Sequence, residues 1–226
     1  MVYRLDERLI FPDPHWGEPD GLIAVGGDLS PERLLLAYSH GIFPWYSFRD
    51  SDICWFCPLQ RFVIFPAEIH VSHSMRTLMR KDRYKVRFNT DFEQTIRHCS
   101  ELRFNQIGAW LGDDMINAYT ELYRRGYAMS VEVWEGDSMV GGLYGVTLGR
   151  NFFGESMFSL VPSASKLALI SLARQMEKNN LGIIDCQLET PHLKSMGARF
   201  ISYEESMEVI GPKDVERGDK GKLKGS

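Results

Sequence analysis

From about residue 61 to about residue 205, apolar side chains recur at regular spacings, and the spacing says which element each stretch forms. FEQTIRHCSEL (92–102) and SKLALISLARQMEKNN (165–180) repeat their apolar positions near the helical period, the second capped near Ser163. DDMINAYTELYRRGY (113–127) opens on two carboxylates and closes on Arg124, Arg125 and Gly126, which suit the two poles of a helix. IHVSHSMRTLMRKDR (69–83) reads as the end of a strand and then a basic helix, and KVRFNT (85–90) as a strand. Residues 129–159 form three strand-like runs, broken at Glu135-Gly136-Asp137 and at Gly149-Arg150-Asn151, which predicts an antiparallel meander. GIIDCQL (182–188) is a buried strand, a short helix follows near HLKSMG, and RFISYEE (199–205) is the last strand.

The first 60 residues have a different texture, rich in Pro, Gly and aromatics. They predict one short helix, with Ser30 as N-cap, Pro31 in the first turn, LLLAY as its apolar stretch and Gly41 closing it in a left-handed conformation. GPKDVERGDKGKLKGS (211–226) is charged, glycine-rich and nearly devoid of bulky apolar side chains, so it is expected to be disordered. The pattern therefore predicts an α+β protein with a small N-terminal domain (1–60), a larger domain with a mixed sheet (61–210) and a tail.

At 226 residues with 44% hydrophobic content, the chain has enough apolar surface for a core without staples. Cys54, Cys57, Cys99 and Cys186 are scattered, and the C-x-x-C of Cys54 and Cys57 has no second pair or neighbouring His to complete a zinc set, so it reads as structural. The N-terminal stretch MVYRLDERLIFPDPHW has no apolar run of signal-peptide or membrane-spanning length, which points to the cytoplasm and to no membrane partner. A net charge of -4 excludes a protein that is basic throughout, so any nucleic-acid contact has to come from a local patch.

Three groups of residues stand out chemically. Asp185 and Gln187, two apart on a strand, share one face, while Ile184 and Cys186 point the other way; the pair either ties down a loop or faces a cleft. Glu155, among aromatics and Met on a central strand, either recognises a cation or belongs to a structural ion pair; the neighbouring Leu143, Phe153, Met157 and Leu169 either fill the core or line an apolar pocket. The run Arg76, Arg80, Lys81, Arg83, Lys85 and Arg87 includes one acid, Asp82, and is either a solvated face or a phosphate grip. Trp45 in FPWYS suits base stacking. The sequence has no P-loop, no G-x-G-x-x-G, no H-E-x-x-H and no G-x-S-x-G, and its six histidines show no metal-ligand spacing.

GLIAVGGDLSPERLLLAYSHGIFPWYS, GGLYGV, FFGESMF, ASKLAL and IDCQ, in that order, resemble the leucyl/phenylalanyl-tRNA-protein transferases from about residue 11 to about residue 205. The resemblance implies a small N-terminal domain joined to a GNAT-like acyltransferase domain with a mixed, mostly antiparallel sheet. It also implies transfer of Leu or Phe, and less readily Met, from aminoacyl-tRNA to proteins that begin with Arg or Lys, marking them for degradation through the N-end rule. By the same resemblance Asp185 and Gln187 match the catalytic pair, and Glu155 matches the acid that recognises the basic acceptor. Trp45 matches the aromatic that stacks the terminal adenine, with Trp110 near it, and Leu172 joins Leu143, Phe153, Met157 and Leu169 in the amino-acid pocket. Arg76, Arg80, Lys81 and Arg83 would then bind tRNA phosphates. The donor ester is already activated, so the implied reaction calls for no ATP, metal or redox cofactor.

Two rival readings are an acetyl-CoA-dependent acyltransferase and a non-catalytic RNA-binding module. The first expects a glycine-rich turn before the helix that follows the meander, where the chain instead has SLVPSAS. The second leaves Asp185, Gln187 and Glu155 unexplained.

Overall fold

The computed structural model describes residues 2–45, 52–107 and 112–210, the stretch 103–107 by its backbone only. Trp110 and the tail 211–226 lie outside the described residues. Two sheets carry the fold. The smaller one has the order β1-β2-β4-β3, from β1 (Tyr3–Leu5), β2 (Leu22–Gly26), β3 (Phe43–Trp45) and β4 (Cys54–Phe56), with α1 (Pro31–Ser39) between β2 and β3. α1 is capped as its sequence predicts: the Ser30 hydroxyl accepts from the Arg33 N–H, Pro31 starts the helix, and Gly41 follows it with φ 69°. Leu34, Ala37 and Tyr38 form its buried face.

The larger sheet has seven strands in the order β11-β5-β10-β9-β8-β7-β6. These are β5 (Gln60–Ile64), β6 (Lys85–Phe88), β7 (Ala128–Glu135), β8 (Ser138–Leu148), β9 (Asn151–Ser159), β10 (Ile184–Gln187) and β11 (Arg199–Ser202). β7, β8 and β9 are the expected meander, and only the β9/β10 pair is parallel, which makes the sheet mixed and mostly antiparallel. The helices are α2 (His73–Arg80), α3 (Phe92–Ile107), α4 (Asp113–Arg124), α5 (Ala164–Lys178), α6 (Pro191–Ser195) and α7 (Tyr203–Ile210). Leu167, Leu169, Ile170 and Leu172 of α5 and Met75 of α2 cover one face of this sheet. α1, α3 and α4 cover the other, where Tyr38, Phe92, Ile96, Met115 and Tyr119 meet Tyr144, Val146 and Phe153. No helix among the described residues is long and apolar enough to cross a membrane.

The structure departs from the sequence pattern at four points. Ile69 to Val71 form no strand; the strand of that region is β5, five residues earlier. Ser163 occupies the N-cap position of α5 in a left-handed conformation, without a capping bond from its hydroxyl, and Ser159 Oγ accepts from the Ser165 N–H instead. RFISYEE is split after Ser202, because the Ser202 Oγ accepts from the Glu205 N–H while Glu205 reaches back to the Ser202 N–H, a capping box that starts α7. The N-terminal stretch builds a four-stranded sheet, of which the sequence predicted only the helix.

Candidate active site

β9 and β10 run side by side for two residue pairs only, Ile184 with Phe152 and Asp185 with Phe153, and then part. A cavity of about 440 Å3 opens where they diverge. Its wall is mainly apolar, with Leu143 of β8, Phe152 and Met157 of β9, Leu169 of α5, and Ile184 and Leu193. Glu155 and Gln187 supply the polar end, and Trp45 from the smaller sheet also lines it. An apolar wall of that size with a few convergent polar groups is the composition of a small-molecule site.

Two bulges aim the polar groups. On β9, Tyr144 pairs with Ser156 and Gly145 with Gly154, so Glu155 is the extra residue. Gly145 has to be glycine here, since a Cβ would overlap the Phe153 carbonyl oxygen. The displaced Glu155 carboxylate, 5% exposed, is surrounded by donors. Tyr38 Oη of α1 donates to Oε1 at 2.6 Å, Gln187 Nε2 donates to Oε1 at 2.9 Å, and Tyr119 Oη of α4 donates to Oε2 at 2.9 Å. Burial outweighs these bonds and raises the Glu155 pKa to about 7.

On β10, Asp185 faces Val63 and Gln187 faces Phe62, which leaves Cys186 as the extra residue. Plain alternation along IDCQ is therefore replaced by a bulge, and Gln187 takes a left-handed conformation with φ 65°. Asp185 does not reach the Gln187 side chain amide; its Oδ1 accepts from the Gln187 main-chain N–H at 2.9 Å. Its Oδ2 accepts from Arg61 Nη2 in a fully buried ion pair, and the Arg61 guanidinium stands 5.4 Å from the centre of the Phe43 ring. Desolvation acts to lower the Arg61 pKa, but the neighbouring Asp185 charge wins and holds it above the ordinary arginine value.

A scan against protein-family models matches residues 63–210 to the leucyl/phenylalanyl-tRNA protein transferase model and residues 27–59 to that family's N-terminal domain. The chain belongs to this family. Among curated members it is 50% identical to the leucyl/phenylalanyl-tRNA–protein transferase of Nitrosomonas eutropha over 86% of this chain and 82% of that one. It is 51% identical to that of Syntrophobacter fumaroxidans over 92% and 89%, and 48% identical to that of an Anaeromyxobacter species over 93% and 89%.

Of the residues the sequence singled out, Glu155, Gln187, Trp45, Leu143, Met157 and Leu169 line the cavity. Phe153 and Leu172 do not. Phe153 faces the other side of β9 and packs on Tyr38 with ring centres 5.2 Å apart, and its place in the wall is taken by Phe152. Leu172 is fully buried in the core between α5 and the sheet. Asp185 sits behind the wall as well. Arg76, Arg80, Lys81 and Arg83 are exposed on and after α2, which packs beside α5. Arg83 Nε donates to Glu135 Oε1 at 2.6 Å and Lys85 Nζ donates to Asp82, so the acids facing the run include Glu135 as well as Asp82.

The sequence reading missed Arg61, Tyr38, Tyr119 and His192. Arg61 interrupts the apolar strand QRFVI, a cation at an otherwise buried position that calls for a buried acid. Tyr38 and Tyr119 lie on the buried faces of amphipathic helices, where nothing separates a functional tyrosine from a packing one. His192 lines the cavity from α6, its pKa lowered by burial and by Lys166.

Proposed function

We propose that the cavity between β9 and β10 holds the aminoacyl group of a charged tRNA, and that its polar end receives the N-terminus of the acceptor protein. The family's reaction is aminoacyl transfer from tRNA to protein. One observation carries the placement: an apolar pocket with room for an amino-acid side chain ends on a glutamine and a carboxylate held together by a hydrogen bond.

The attacking α-amine has an unperturbed pKa of about 7.7–8.0, so much of it is protonated near neutrality and a proton must leave before or during attack on the ester carbonyl. Gln187 donates through Nε2 to Glu155, so its Oε1 is turned to accept a hydrogen bond from that amine and aim the nitrogen lone pair. An amide is a poor base, and orientation is its contribution; correct placement of two reactants supplies on the order of 7–11 kcal/mol of rate enhancement. Asp185 acts one step back, fixing the Gln187 backbone, and Arg61 fixes Asp185. Glu155 binds the guanidinium or ammonium of an N-terminal Arg or Lys. Leu143, Phe152, Met157 and Leu169 receive a Leu, Phe or Met side chain, and Trp45 stacks the terminal adenosine. Arg76, Arg80 and Lys81 bind tRNA phosphates without reading sequence.

The test is transfer of labelled Phe from Phe-tRNA to two peptides that differ only in an N-terminal Arg or Asp, without ATP or acetyl-CoA. Label on the Arg peptide alone is expected. Label on the Asp peptide overturns the role of Glu155, and label on neither overturns the activity.

A further inference from the structure

The two phenols beside Glu155 touch each other as well as the carboxylate. Tyr38 Oη and Tyr119 Oη are 2.6 Å apart, Tyr38 Oη is 2.6 Å from Glu155 Oε1, and Tyr119 Oη is 2.9 Å from Oε2. These three contacts form a closed triangle of side chains, and each contact needs one hydrogen between its oxygens. Two phenols supply two hydrogens. With Glu155 ionised, both phenols point at the carboxylate and the 2.6 Å contact between them is left as bare oxygen against oxygen.

We propose that the free enzyme keeps a third proton in this triangle, on the Glu155 carboxyl, and that the cationic side chain of the acceptor enters by expelling it. The proposal rests on the acceptor role given to Glu155 above and extends it. Oε1 already accepts from Tyr38 and from Gln187 Nε2, so it is the carbonyl end of the neutral acid. The carboxyl proton therefore sits on Oε2 and donates to Tyr119, reversing the direction that this contact has with the carboxylate; Tyr119 donates to Tyr38, and Tyr38 donates to Oε1. Each oxygen of the triangle is then satisfied, with Tyr38 and Tyr119 fully buried and Glu155 nearly so.

The charges around the triangle support the same state. α1 and α4 contribute only Tyr38 and Tyr119, with Tyr144 of β8 behind the latter at 5.7 Å between ring centres. β10 contributes Gln187 and the Asp185 charge, which disfavours a second anion, while Arg61 is taken up by Asp185. Among the described residues no Lys, Arg or His pairs with Glu155. Burial raises the Glu155 pKa to about 7, and it raises those of both tyrosines well above the ordinary phenol value, so the carboxyl is the group that gives up the proton.

Binding then exchanges one cation for another. The carboxylic acid releases its proton to solvent, the guanidinium or ammonium takes its place against the carboxylate, and the charge at Glu155 stays balanced. A neutral or acidic N-terminal side chain cannot expel the proton, because the closed triangle is already satisfied without it. Tyr38 and Tyr119 are thus specificity-determining residues: they set the neutral resting state against which an acceptor competes.

Two readouts test this. In the free enzyme at about pH 6, infrared difference spectra of wild type against Glu155→Gln should show one protonated carboxyl C=O band, shifted to higher frequency in Tyr38→Phe, which removes a donor to Oε1. Absence of that band overturns the proton whatever Glu155 binds. The second readout is a proton count on binding a peptide that begins with desamino-arginine, which keeps the guanidinium and lacks the α-amine. At about pH 6 it should release close to one proton per peptide, falling below about 0.1 at pH 8.5, and none in Glu155→Gln. Tight binding with no proton released at pH 6 overturns the exchange and leaves the acceptor role standing; a peptide that binds wild type and Glu155→Gln equally at every pH overturns the acceptor role itself.

Discussion

Asp185 Oδ1 accepts a hydrogen bond from the backbone N–H of Gln187, two residues along the same strand, and this bond holds Gln187 in its left-handed conformation. The carboxylate is in turn held by Arg61, so a buried ion pair anchors the backbone from which an uncharged side chain projects. Removing one member of such a pair strands a buried charge. Arg61→Ala should destabilise the protein by about 3–5 kcal/mol in urea denaturation. The double variant Arg61→Met with Asp185→Leu should recover most of that loss and still transfer poorly, because the Gln187 N–H has lost its acceptor. Near-normal transfer by the double variant would sink the positioning role.

Glu155 makes stability depend on pH in an unusual direction. Its folded-state pKa, about 7, lies above the ordinary 4.5, so the folded protein binds the extra proton more tightly than the unfolded chain does. That contribution is fully present below about pH 4.5 and is lost as pH rises through about 7. Glu155→Gln should therefore gain on wild type between those limits, by on the order of 3 kcal/mol in total, and hold a constant margin above them. Thermal melts of the two proteins from pH 5 to pH 8.5 measure the margin; one that shrinks as pH rises contradicts the assignment.

Phe153 and Leu169 should separate stability from donor choice. Phe153→Ala removes a core ring outside the cavity and should cost about 3–5 kcal/mol of stability with the Leu/Phe donor ratio unchanged. Leu169→Ala deepens the wall itself and should shift the kcat/KM ratio toward Phe-tRNA by roughly tenfold or more. Equal donor ratios in both variants would place the amino-acid side chain elsewhere.

The basic run is uneven. Arg83 already pairs with Glu135, whereas Arg80 and Lys81 stand exposed at the end of α2. Arg80→Ala should flatten the plot of log affinity for tRNA against log salt by about one contact, and Arg83→Ala by less. Filter binding between about 50 and 200 mM salt compares them, and the reverse order would relocate the phosphate track.

The meander and the helices α4 and α5 were legible because each repeats one period over many residues between clear breakers, and Glu155, Asp185 and Gln187 stood out as polar residues on apolar strands. The smaller sheet was not, because its strands are three to five residues long, too short for alternation to rise above the surrounding Pro and Gly. The placing of Phe153 and Asp185 was missed for another reason. For Asp185, facing is read from strict alternation, which the bulge at Cys186 breaks; Phe153 reads as an apolar neighbour of Glu155, whose own bulge changes which residues of β9 share its side. Partners such as Arg61 and Tyr38, 124 and 117 residues away from theirs in sequence, become visible only when the strands and helices are assembled.

On the proposed placement of the aminoacyl group, the early parting of β9 and β10 bears on how broad the donor range is. Beyond Phe153 and Asp185 the two strands share no ladder pairs, so an aminoacyl group seated there as proposed would meet side chains and not a β9/β10 backbone bond. Adapting from Leu to Phe then strains only side-chain packing, a soft and graded cost compared with opening a sheet. A site at such an opening is expected to tolerate differences in size and to discriminate at the polar end that Glu155 and Gln187 supply.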